Sequence, residues 1–320
     1  MTGAPWRRPR RQRSAPAPRG PGTGGPVRGA PAARAAALLR ACRPKQWLKN
    51  LLVFAAPGTA GVLADPVAVG WAAAAFAAFC IASSGTYLLN DVRDVEADRA
   101  HARKRHRPIA SGTVPVPLAL GLGAALVVIA PLALLPLGNP LLLGVLLGYL
   151  ALTACYTLYL KRVIIGDVVA VAGCHVLRAL AGGVAVGVPF TAWFLIVVSL
   201  GALLVVVGKR EAELRNPEAG GGRAALRGYT VSYLVQVRTM ASAAMIVTYC
   251  LWALDGHGEG TAGVFHALSI VPFIVFVLRY HLLVDRGVGE EPEEIALRDR
   301  PLQLCLLGMA VLVGLGVYLR

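Results

Sequence analysis

The chain has 320 residues, 56% of them hydrophobic, and a mean hydropathy of +0.62. That is too apolar for an ordinary soluble domain and is the composition of a polytopic membrane protein. The net charge is +15, but ten Arg and no Asp or Glu fall in residues 1–43, so the rest of the chain carries only about +5.

Residues 1–42 open with "MTGAPWRRPRRQRSAPAPRGPGTGGPVRGAP" and are rich in Arg, Pro and Gly. Such a segment cannot bury a core, so a disordered basic cytosolic tail is expected. It lacks the continuous apolar run of a signal peptide. A solvated tail that touches anionic lipid is favoured over one that binds nucleic acid, and no nucleic-acid partner is expected.

From residue 43 to 320 the chain reads as one transmembrane domain. A helix crosses a bilayer with about 20 apolar residues. Nine stretches meet that length: 46–64, 67–89, 115–135, 139–160, 166–187, 189–208, 233–254, 264–283 and 302–319. The expected fold is therefore all-α, a nine-helix bundle embedded in the lipid bilayer. The first stretch is interrupted by "APGTAG", where Pro57 is expected to kink it. The six Cys form no CxxC pair and read as small hydrophobes, and the His residues have no zinc-site spacing.

The connecting loops alternate. We class the tail, 90–113, 161–162, 209–228 and 279–300 as basic, whereas 58–66, 136–140, 184–190 and 255–263 contain no Lys or Arg. The positive-inside rule then places the N-terminus and the long loops in the cytosol, and an odd span count places the C-terminus outside. Nearly all ionisable residues fall at the cytosolic ends; Arg178, His175 and Arg238 lie deeper. A transporter more often carries such groups near the midplane. The site is expected to open to the cytosol.

At the end of the second stretch stands "NDVRDVEADRAHARKRHRPIASG", residues 90–112. On a helix Asp91, Asp94 and Asp98 fall at i, i+3 and i+7 and share a face, with Asn90 beside them. Three carboxylates within two turns repel one another unless a cation neutralises them. Oxygen-only ligation suits Mg²⁺, which bridges carboxylates to substrate phosphates. The plain alternative is a solvated helix end with local pairs such as Asp94–Arg99 or Asp98–Arg103. Arg103, Lys104, Arg105 and Arg107 supply the groups that bind phosphate, or else serve only as a topogenic positive loop.

Other cytosolic ends repeat the pattern. "CRPKQWLKN" sets Lys45 and Lys49 one turn apart. "YTLYLKRVIIGD" carries Tyr156, Lys161 and Asp167. Asp167 and Arg178 are eleven residues apart, which returns to nearly the same helical face. "KREAEL" carries Lys209 and Arg210. Each cluster alone could be an interfacial anchor; four on one side look like a shared pocket for several phosphates.

With the motif N-D-x-x-D-x-x-x-D at Asn90, Asp91, Asp94 and Asp98 directly after a membrane helix, the chain resembles the UbiA-type intramembrane prenyltransferase superfamily. The resemblance implies a nine-helix bundle around a central cavity that opens to lipid. "RPKQWLKN", the 90–112 stretch, "YTLYLKRVIIGD", "LRALAGG" and "KREAEL" narrow it to the phosphoribosyl-transferring branch, from about Arg43 through the ninth stretch. That branch joins 5-phosphoribosyl 1-diphosphate to a polyprenyl (decaprenyl) phosphate and releases diphosphate. The product leads to the arabinose donor of cell-wall arabinan.

Many superfamily members carry a second motif, D-x-x-x-D; here Asp167 is followed four residues later by Val171. That favours the phosphoribosyl branch over an aromatic or quinone prenyltransferase, which stays the alternative enzyme. A lipid transporter or membrane scaffold is the non-enzyme alternative. Under the resemblance Asp91, Asp94 and Asp98 hold Mg²⁺ on the departing diphosphate, helped by Asn90. Lys45 and Lys49 contact a phosphate, and Arg103 to Arg107 bind the 5-phosphate or cap the pocket. Tyr156, Lys161 and Asp167 line the opposite wall, and Arg178 holds the lipid phosphate. A homo-oligomer is compatible with the residues.

Overall fold

The computed structural model describes residues 31–216, 224–255, 261–289 and 291–319. Residues 1–30 of the expected tail and parts of the 209–228 and 255–263 loops lie outside them. Eight helices among the described residues are long and apolar enough to cross a membrane. They are α3 (Pro66–Arg93), α5 (Val116–Leu134), α6 (Pro140–Leu158), α7 (Gly166–Val186), α8 (Ala192–Arg215), α9 (Val231–Leu254), α10 (Thr261–Asp285) and α12 (Arg300–Tyr318). The short helices are α1 (Pro31–Ala41), α2 (Ala55–Thr59), α4 (Val95–Ala100) and α11 (Pro292–Arg298).

The sequence starts these helices in a recognisable way. The side chains of Asp65, Asn139, Thr191, Thr230 and Asp299 each accept a hydrogen bond from a backbone N–H in the first turn that follows. Pro66 and Pro140 sit at the first helical position, where a missing N–H costs nothing. Within the spans the backbone pairs with itself, as a hydrocarbon solvent demands. Leu118, Leu120, Val128 and Leu132 on α5, and Leu304, Leu307 and Val311 on α12, face outward. An apolar outer face on helices of this length makes the chain an integral membrane protein.

The first expected span, 46–64, is different. Residues 44–64 form a 3₁₀ helix over Pro44–Phe54, then α2, then a 3₁₀ turn over Val62–Ala64. Eleven residues at about 2.0 Å each reach roughly 22 Å, so the segment is long without being α-helical. Its start meets α11 through Lys45 and Glu294. Near its end the Leu63 N–H donates to the Tyr318 hydroxyl, 3.0 Å away at the far end of α12. It therefore runs the length of the bundle. The cause is packing against α7: a Cβ on Gly182 would stand 1.6 Å from the Val53 carbonyl oxygen. Tertiary contact, not propensity, sets this backbone.

Helix α1 corrects the boundary drawn at residue 42. "PAARAAALLRA" is alanine-rich, and alanine is the best helix former. Ala37 and Ala41 are buried against Leu88, Ile109, Val114 and Ala119. The helices pack as a ring: α5 on α3, α3 and α6 on α7, α7 on α8, α8 on α9, α9 on α10, and α10 on α12, with α2 touching both α7 and α12. The C-terminal ends of α3, α6, α8 and α10 and the N-terminal ends of α5, α7, α9 and α12 all lie at one end of this ring. That end holds the candidate site.

Candidate active site

The three aspartates do not lie on one continuous helix. The chain bends at Asp94, whose φ is −93° and ψ 11°, between α3 and α4. Asp91 and Asp98, both buried, are brought together by Arg107. One guanidinium nitrogen of Arg107 donates to Asp91 Oδ1 at 3.1 Å and to Asp98 Oδ2 at 2.6 Å. Asp94 turns the other way, to Lys161 on the α6–α7 loop, with Nζ 2.9 Å from Oδ1. The expected local pairs are not the ones formed. Arg99 binds Glu96, and Arg103 binds Glu291.

Sequence reasoning left Arg43 out of the site. It precedes Pro44 in a left-handed conformation (φ 56°, ψ 62°) that aims its guanidinium into the cluster. Its Nη2 lies 2.6 Å from Asp91 Oδ1, and its carbon sits 5.1 Å over the Tyr87 ring. The basic run at 103–107 divides. Arg107 points into the aspartates, Arg103 points across to Glu291, and Arg105 is exposed beside His106. It is not one patch.

Among the described residues no three His, Cys, Asp or Glu side chains converge closely enough to hold a metal ion unaided. The expected cage of Asp91, Asp94 and Asp98 is not built in advance, because Lys161 draws Asp94 aside. The donor set still fits Mg²⁺. It is all oxygen, and Asp91 and Asp98 already share one cation. Mg²⁺ needs only one or two carboxylates when substrate phosphates supply the rest.

Asp167 opens α7 and is buried. It accepts from Arg210 Nε at 2.7 Å and from the Tyr229 hydroxyl at 2.7 Å. Arg210 continues to Glu213 at 2.9 Å and to the Tyr156 hydroxyl at 3.4 Å. Of the expected wall of Tyr156, Lys161 and Asp167, Arg210 thus joins Tyr156 to Asp167, while Lys161 turns to Asp94. Tyr229 also accepts the Ile165 N–H, fixing a turn whose φ is +67°. A β-branched residue at positive φ is strained and persists only when held. Burial, and then the bond it donates to Asp167, raises the Tyr229 phenol above its ordinary pKa.

Arg178 does not reach Asp167 or the aspartate cluster. Nε donates to Asn50 at 2.7 Å, Nη1 to the Cys174 carbonyl at 2.7 Å and Nη2 to the Tyr149 hydroxyl at 3.0 Å. It pins the 3₁₀ segment to α6 and α7. The helical face shared with Asp167 did not reveal Asn50 or Tyr149, which come from elsewhere in the chain. Glu211, fully buried, joins Arg238 at 2.7 Å and Arg215 at 2.9 Å, tying α8 to α9.

The 279–300 loop, classed as basic, carries six acidic residues against four Arg. At the start of α11, Glu293 is buried and Glu291 and Glu294 flank it. Lys45 pairs with Glu294 at 3.1 Å, Lys49 contacts Glu293, and Arg103 pairs with Glu291 at 3.3 Å. Lys49 also donates to Gln46 at 2.7 Å. Lys209 adds its positive charge near Glu293. The expected phosphate contacts Lys45, Lys49 and Arg103 are thus together, and each is held by a carboxylate.

The chain is similar to known proteins. The model of the UbiA prenyltransferase family matches residues 51–297. A decaprenyl-phosphate phosphoribosyltransferase of Mycobacterium tuberculosis is 43% identical over 293 residues, covering 90% of this chain and 96% of that protein. One of the same name from Corynebacterium glutamicum is 41% identical, covering 88% and 87%. Among solved structures, a UbiA homolog from Archaeoglobus fulgidus bound to GPP and Mg²⁺ superposes with a TM-score of 0.67 at 17% identity. That comparison covers 89% of this chain and 100% of the other. The chain belongs to the UbiA prenyltransferase family.

Proposed function

We propose that the protein transfers the 5-phosphoribosyl group of 5-phosphoribosyl 1-diphosphate to decaprenyl phosphate and releases diphosphate. The observation that carries this is the 43% identity, over 90% of the chain, to a relative named for that activity. The site chemistry agrees. The donor brings a diphosphate and a separate 5-phosphate, and the lipid brings another phosphate. Arg43, Arg107 and Lys161 stand at the aspartates, and Lys45, Lys49 and Arg103 lie on the neighbouring face.

An oxygen of the lipid phosphate forms the new bond to ribose C1, and the bond from C1 to the diphosphate breaks. The nucleophile is already an anion, so no strong general base is required. Asp91 and Asp98 would hold Mg²⁺, with Asp94 and Asn90 beside them. When bound, Mg²⁺ neutralises charge on the departing diphosphate. Lys161 and Arg107 stand ready to exchange a carboxylate for a phosphate oxygen as the donor enters. Catalysis is then positioning and charge stabilisation. The Asp167–Arg210–Tyr229 group holds the α6–α7 loop so that Lys161 faces Asp94.

On this reading the protein works in the plasma membrane, with the N-terminus and the site in the cytosol, as the loop charges favour. Its product would feed the lipid-linked arabinose donor of cell-wall arabinan. The test uses membranes supplied with Mg²⁺, polyprenyl phosphate and labelled 5-phosphoribosyl 1-diphosphate. Label enters the lipid with the wild type and not with Asp98→Asn. Turnover of a prenyl diphosphate with an aromatic acid instead would make the protein an aromatic prenyltransferase.

A further inference from the structure

We propose that the first turn of α11 is an anionic plug: Glu291, Glu293 and Glu294 hold Arg103, Lys49 and Lys45 until the diphosphate donor displaces them. The identity of the displacing anion rests on the transfer proposed above.

Four consecutive positions supply three carboxylates to three cations, and those cations come from two separate segments, 44–54 and the 101–107 loop. A carboxylate on Lys or Arg makes the same charge-assisted bonds as a phosphate oxygen, but carries less charge and fewer acceptors. An incoming diphosphate is therefore the stronger partner for the same cations.

The three contacts differ in depth. Lys45 and Arg103 are 67% and 57% exposed, and such pairs hold weakly. Glu293 is 4% exposed and faces Lys49, with Lys209 near it. Burial alone would raise the Glu293 pKa; Lys49 outweighs it and keeps the group below its ordinary value, hence ionised. The plug is one buried anion with two loose outer ties.

The surroundings allow it to move. Gly287, at φ +79°, lets the approach turn, and Gly289 beyond it packs against α8 beside the Gly208 carbonyl. Its far end is anchored: Ile295 is buried among α9, α10 and α12 side chains, and Asp299 binds Arg279 at 2.7 Å. A cavity of about 410 Å³, lined by Arg103, Glu291, Glu294 and Arg298 among others, borders the acidic turn. The turn has cations on one side and open volume beside it.

The experiment is hydrogen exchange on the full chain in lipid nanodiscs, with Mg²⁺ and either inorganic diphosphate or 5-phosphoribosyl 1-diphosphate. Backbone amides of 293–298 should exchange about tenfold faster at saturation, the factor for a plug shut about 90% of the time when empty. Glu293→Gln should lower the KM for the donor by the same order. The exposed pair variant Glu291→Gln/Glu294→Gln, which does not disturb the buried contact, should lower it about twofold. Unchanged exchange with both anions, or a raised KM in the exposed pair variant, would overturn the plug. Transfer by a wild type whose α11 stays protected rejects the plug alone. Opening by diphosphate in a protein that transfers no phosphoribosyl group supports the plug and rejects the transfer.

Discussion

Lys161→Met separates catalysis from stability at this site. Lys161 Nζ lies 2.9 Å from Asp94 Oδ1, and the two side chains are 21% and 31% exposed. A pair so open to water contributes at most about 1 kcal/mol to folding. For a chain of this size that moves the melting temperature by about 3 °C. The cost to transfer is larger, because a positioned cation that meets developing charge is worth about 10²–10³ in kcat. Methionine keeps the length of the side chain and removes the charge. Labelled transfer into lipid should fall at least about 100-fold, or about 2.7 kcal/mol in the barrier. A thermal melt in the same detergent should stay nearly unchanged. Activity within about threefold of wild type would refute the placement of Lys161 on the substrate phosphates. A collapse of the melt in step with activity would make the pair structural.

Other predictions follow from the packing. Arg210→Met leaves Asp167 and Glu213 buried without their shared cation, which should cost about 3–5 kcal/mol; the lowered melt should not be restored by added Mg²⁺. Gly182→Ala drives a methyl into the Val53 carbonyl and should cost about 1–3 kcal/mol or more, seen as reduced yield and melting temperature. Glu293 has a depressed pKa, so the stability of its pair with Lys49 is present above the ordinary Glu value of about 4.3 and is lost as pH falls through the lower folded value. Exchange at 293–298, corrected for intrinsic rate, should therefore be flat from neutral pH to about 5 and rise below about 4.

Much of the bundle is written in local pattern. The long apolar runs between capping residues became eight helices, because length and hydropathy alone decide what spans a bilayer. The aspartate motif was legible for the same reason: carboxylates at helical spacing beside a basic run have few uses at a membrane surface. What stayed hidden depends on contacts between distant segments. Residues 44–54 are 3₁₀ because Gly182 lets their backbone close on α7, which the segment's own residues do not reveal. Arg178 has partners on the 44–54 segment and α6, and its own helix announced neither. Glu291, Glu293 and Glu294 passed as part of a basic loop because charge counting there followed Lys and Arg, the residues that set topology. Only folding shows that these acids face Arg103, Lys49 and Lys45.

The most direct test of the account is the chemical identity of the lipid made by the purified protein. Protein in nanodiscs would receive Mg²⁺, decaprenyl phosphate and both candidate donors, 5-phosphoribosyl 1-diphosphate and a prenyl diphosphate with an aromatic acid. Mass spectrometry of the extracted lipid should show decaprenylphosphoryl-5-phosphoribose, formed by the wild type and lost in Asp91→Asn and Asp98→Asn. A prenylated aromatic acid as the product, or phosphoribosyl lipid undiminished in both variants, would contradict it.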